Sequence, residues 1–140
     1  MRGAILLVGF LALTLTAAGK SPFCGSWEGR INDLPGVDLT ILDTGEEISG
    51  VVVFHFQLRG EDGKWRVAGK TSLPMLALRI EGQTLSFEVI HHKEHGGSEL
   101  GPNVKFRMEL TGANEAVLRK LEDHDAAGQG FKLARTADAH

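Results

Sequence analysis

After residue 25 the apolar residues of this chain recur with a period of two almost everywhere, and that alternation limits the fold more than any other feature. Val104, Phe106, Met108 and Leu110 alternate with Lys105, Arg107 and Glu109. Successive side chains of a strand point to opposite faces, so such a segment has one apolar face and one solvated face. Val37, Leu39 and Ile41 repeat the pattern against Asp38 and Thr40. Val52, Phe54, Phe56 and Leu58 share a phase in the longest strand candidate, 48–58. So do Leu85, Phe87, Val89 and His91, then Phe131, Leu133 and Arg135, and, at the start, Trp27, Gly29 and Ile31. Trp65 and Val67 are in phase within 65–71, and 75–80 follows Pro74. Residues 116–121 fit a strand or a helical turn, and no stretch of ten or more residues carries a period of 3.6.

Turn-forming residues interrupt these runs: Asn32-Asp33-Leu34-Pro35-Gly36, residues 43–46, Glu61-Asp62-Gly63-Lys64, residues 81–83 and residues 111–114. In Asp62-Gly63 the chain has a dipeptide that tolerates the positive φ of a hairpin turn. Longer loops are expected at about 93–103 and 121–130. Short strands joined mostly by tight turns predict an all-β antiparallel up-and-down barrel of about eight or nine strands, with a β-sandwich as the alternative. Barrel closure removes exposed sheet edges. A length of 140 residues with no internal change of composition gives one domain.

The first nineteen residues read differently. A short basic start at Arg2 precedes an uncharged apolar run over 4–18, then the small residues Ala17, Ala18 and Gly19. That order is a secretory signal peptide, and the run is shorter than the roughly 20 residues of a spanning helix. The expected division is a cleaved signal peptide at 1–19 and a single all-β domain at 20–140. The expected location is secreted or periplasmic, with no stable membrane anchor after cleavage. Cys24 is the one cysteine, so no intrachain disulfide can form. It is either a buried small apolar residue or a thiol able to link two chains in a covalent dimer. The formal charge of −3 without a Lys/Arg block argues against a nucleic-acid partner.

Gly25-Ser26-Trp27 resembles the Gly-x-Trp that opens the first strand of the lipocalin-like (calycin) families. In those families a late Arg stacks on that Trp and closes one barrel end. The resemblance implies that role for Arg135, paired with Trp27, with Arg119 as the second candidate. The chain is also similar to small exported bacterial proteins of unassigned function. The shared residues are Gly25-Ser26-Trp27-Glu28-Gly29, Phe87-Glu88-Val89 with His91 and His95, and the strand from Phe106 to Gly112. Gly96-Gly97 departs from that pattern, which has proline after the second His.

Few residues carry chemistry. His91-His92-Lys93-Glu94-His95 is the most unusual stretch, since imidazoles beside a carboxylate suit a divalent transition metal. On a strand His91 and His92 point apart, so His91 and His95 are the candidate ligands, with Glu94, His55 or His124 as further donors. His55 is expected on the face opposite Phe54 and Phe56. The acidic run Glu122-Asp123-His124-Asp125 lacks the spacing of a calcium loop. No catalytic motif is present, and no cofactor is implied. Trp27 and Trp65 read as core or barrel-end residues.

The leading expectation is therefore a lipocalin-like binding module for a small apolar or amphipathic ligand. Phe54, Phe56, Phe87, Val89, His91, Phe106 and Met108 would line its interior. The alternatives are a ligand-free structural or interaction protein of the cell envelope, and, least favoured, a metal-assisted enzyme using His91 and His95.

Overall fold

The computed structural model describes residues 21–90, 103–121 and 130–137. The described residues form nine strands: β1 (Gly25–Ile31), β2 (Leu34–Asp43), β3 (Ile48–Arg59), β4 (Trp65–Pro74), β5 (Leu76–Glu81), β6 (Thr84–Val89), β7 (Val104–Gly112), β8 (Glu115–Leu121) and β9 (Phe131–Ala137). They make one sheet in the order β4-β3-β2-β1-β9-β8-β7-β6-β5. Every neighbouring pair is antiparallel. The sheet is strongly curled into a half-barrel. This is the all-β antiparallel architecture that the alternation predicts, in one sheet rather than the two of a sandwich. Residues 116–121 are a strand, not a helical turn.

The register decides how the curl closes. Eight antiparallel steps separate β4 from β5, so the two strands run in the same direction. Only Met75 lies between them, and one residue cannot reverse a chain. β4 and β5 are therefore one strand with a bend, its first part paired to β3 and its second to β6. The nine strands thus make eight passes of an up-and-down barrel. The bend is marked by a positive φ of 51° at Ala77 and by a register shift between Leu76 and Arg79. At the corner the Met75 amide donates to the Gly50 carbonyl at 2.8 Å. A Cβ at Gly50 would stand 2.6 Å from the Met75 sulfur, so the Met75 side chain would have to shift to admit one.

The concave face carries the core. Trp27, Leu39, Ile41, Val52, Leu85, Phe87, Met108 and Leu118 are all fully buried, each at an apolar position of the alternation. Trp27, Ile41 and Ala116 lie toward one end of the half-barrel, and Ile31, Phe54, Val104 and Phe131 toward the other. These are called below the closed and the open end.

Two local features differ from the sequence reading. The cluster 32–36 contributes only Asn32 and Asp33 to the turn, with φ of 54° and 60°. A two-residue hairpin needs positive φ at both positions, which Asn and Asp tolerate. Leu34, Pro35 and Gly36 already belong to β2, with Pro35 beside a register shift where a missing N–H is harmless. The second difference is a bulge in β4. Phe56 pairs with Gly69, but Gln57 pairs with Val67, so Ala68 is an extra residue. Thr71 and Leu73 share the concave face with Phe54 and Val52, whereas Val67 and Trp65, beyond the bulge, lie on the opposite face with Gln57 and Arg59. Trp65 is consequently 42% exposed, not a core or barrel-end residue.

Candidate functional site

The closed end is sealed by the segment that enters β1. Phe23 is fully buried, and its carbonyl accepts a 2.9 Å hydrogen bond from the Trp27 indole N–H. The segment is pinned upstream, where the Ser21 amide donates to the Asp43 carboxylate at 2.9 Å. The Gly45 amide donates to the same carboxylate at 2.8 Å. These backbone donors, Gly45 first and then Ser21, hold the Asp43 pKa below its ordinary 3.8. Arg135 pairs with Trp27 in register and places its guanidinium 4.2 Å from the centre of the indole. It also donates to the carbonyls of Cys24 and Pro22. Cys24 is buried in this assembly. Linking two chains through its thiol would require the closed end to open.

The open end is different. Inside the half-barrel Phe106 of β7 meets Phe54 of β3 at 5.6 Å between ring centres and stacks on Phe87 of β6 at 5.5 Å. Toward the closed end from this ring cluster lie the fully buried side chains of Leu39, Ile41, Leu85 and Met108. Toward the open end lies a concavity of about 650 Å³, lined chiefly by Phe54, Phe56, Leu73, Val89, Phe106 and Phe131. Its position follows from the bent strand: Thr71 and Leu73 of β4 stand on one side, and Val89 and Ile90 stand on the other. The two walls part there because β4 pairs with β3 while β6 pairs with β5.

Of the residues expected to line the interior, Phe54, Phe56, Val89 and Phe106 border this concavity. Phe87 and Met108 do not, because they are 1% and 0% exposed within the packed core. His91 and His95 lie outside the described residues, as does His124. His55 lies on the face opposite Phe54, with its Nε2 2.7 Å from the Asp38 carboxylate. Among the described residues no group of three or more His, Cys, Asp or Glu gathers as a metal ion would need.

Phe131 and Lys120 are among the lining residues that the sequence does not single out. Phe131 faces the concavity from β9. Lys120 pairs with Phe106 in register and so projects from the same concave face, at the mouth. The signal for Lys120 was present: it continues the phase of Ala116 and Leu118, which are buried. A lysine closing an apolar series marks the place where a barrel interior meets water.

A second depression, about 750 Å³, lies on the outer face across β1, β9 and β8. Its lining carries charges of both signs, Glu28, Arg30, Glu115 and Lys132, and no aromatic ring. It offers an apolar molecule little shelter. Comparison with known proteins finds no family model, no curated protein and no solved structure that matches this chain.

Proposed function

We propose that this is an exported, lipocalin-like binding module that holds one small apolar or amphipathic molecule at the open end of its half-barrel. The observation that carries this reading is the aromatic-lined concavity beside Phe54, Phe106 and Phe131. Its volume falls within the roughly 300–1,000 Å³ usual for ligand pockets. Rings on three walls would shelter an apolar body, and Thr71 and Lys120 would meet a polar end. The Arg135–Trp27 stack at the opposite end matches what the lipocalin-like resemblance implies. Export rests on the leader pattern at 1–19.

Native mass spectrometry of the untagged protein recovered from outside the cytoplasm tests both parts. The denatured mass should correspond to cleavage after Ala18 or Gly19. The native mass should exceed it by one organic molecule, and the increment should vanish in Thr71→Trp, which fills the concavity. A native mass equal to the polypeptide, with no uptake of a fluorescent naphthalene probe, overturns the carrier reading.

A further inference from the structure

The hairpin of β3 and β4 projects beyond the packed core, and it exposes large apolar side chains on both faces. Phe56 and Leu58 are 55% and 65% exposed, and Trp65 and Val67 are each 42% exposed. The bulge at Ala68 produces this: it sets Trp65 and Val67 on the face opposite Phe56 and Leu58. A strand hairpin at a water-facing end ordinarily keeps one face polar. Large apolar groups exposed together mark a contact surface.

The charge of the hairpin differs from that of the chain. From Phe56 to Lys70 there are four cations, Arg59, Lys64, Arg66 and Lys70, against the two acids Glu61 and Asp62. The segment is net positive in a chain of formal charge −3. We infer that this hairpin tip docks on an anionic phospholipid surface, with Leu58 and Trp65 entering the interfacial layer and the cations lying among the headgroups.

Three features favour lipid over protein. A packed protein sheet would cover one face of the hairpin, whereas a lipid interface surrounds both. A second copy would bring like charges together across a two-fold axis. Trp beside Lys and Arg is the composition of segments that rest at the membrane–water boundary. The depth is limited by the backbone. Among the described residues β4 pairs only with β3, so its outer edge keeps polar groups that the hydrocarbon core cannot satisfy. The docking is therefore peripheral. The hairpin is steadied from its base, where the Gln57 amide donates to the carbonyls of Ile31 and Pro35 at 2.9 and 3.1 Å.

The test is sedimentation with vesicles of equal parts phosphatidylglycerol and phosphatidylcholine, beside vesicles of phosphatidylcholine alone, at low salt. The protein is expected to sediment with the anionic vesicles, and its tryptophan emission should move to shorter wavelength. Trp27 is 1% exposed, so that movement reports Trp65. Leu58→Asp should abolish sedimentation. Lys64→Gln and Lys70→Gln should each weaken binding to anionic vesicles roughly five-fold, with no effect on neutral ones. These side chains are exposed, and circular dichroism verifies that the variants fold. No sedimentation with anionic vesicles overturns the inference. So does equal binding to both vesicle types, or a lipid-free dimer that buries Trp65.

Discussion

Arg135 covers the Trp27 indole at 4.2 Å while the same guanidinium donates to the Pro22 and Cys24 carbonyls. One side chain from the last strand therefore ties the entry segment to the first strand. Arg135→Ala removes a cation–π contact of about 0.5–2 kcal/mol together with charged hydrogen bonds of about 1.5–3 kcal/mol. The expected loss in urea unfolding is about 2–4 kcal/mol after partial replacement by water. Arg135→Lys should recover less than half, because an ammonium cannot cover the ring and reach both carbonyls with a planar fork. Full recovery would show that charge alone matters.

Gly50 and Met75 set the corner between β4 and β5. A Cβ at position 50 would stand 2.6 Å from the Met75 sulfur and 3.0 Å from the Thr40 carbonyl oxygen. Gly50→Ala is expected to cost about 1–3 kcal/mol by overpacking. In Met75→Ala the sulfur contact is gone, so the two substitutions should be less than additive in a double-mutant cycle. Simple additivity would mean that the corner is not held by this contact.

The Asp43 carboxylate accepts from Gly45 and Ser21 as an anion, which lowers its folded pKa below 3.8. A carboxylate with a depressed folded value binds protons more readily in the unfolded chain. Its contribution is therefore present above the unfolded value and is lost as pH falls through the folded one. Urea midpoints measured between about pH 5 and pH 2 should fall more steeply in the native protein than in Asp43→Ala. Parallel curves would remove Asp43 from the acid response.

Cys24 is 5% exposed beneath the entry segment. Its reaction with a disulfide reagent should be at least about ten-fold slower in the folded protein than in urea, since it waits for local opening. Oxidised native protein should run as a monomer on non-reducing gels. Fast reaction, or a covalent dimer formed without denaturant, would show that the closed end opens readily.

Much of this architecture could be read from the residues in order. Val104 to Leu110 and Leu85 to Val89 announce their strands and faces because a strand allows only one side-chain period. The pairing of Arg135 with Trp27 comes from the lipocalin-like resemblance, and phase with Phe131 and Leu133 only makes Arg135 eligible for it. The candidate site was legible only in part. Phe54 and Phe106 were marked by phase, but phase does not say how far along the barrel the packing extends. Phe87 and Met108, equally apolar and equally in phase, are consumed by the core. Lys120 does not stand out in the sequence, because a single charge at the end of a short strand looks like any solvated residue.

The sequence by itself determined the all-β class, the two faces of each strand and most of the turns. These are local matters of side-chain period and of the residues that accept positive φ. Only the tertiary structure decided that β4 and β5 are one bent strand, because this follows from the parity of eight pairings around the sheet. It also decided that Ala68 reverses the faces of Trp65 and Val67, since a bulge exists only relative to the partner strand. The open end arises in the same way: strand pairing parts the walls of β4 and β6, and no single strand records that separation.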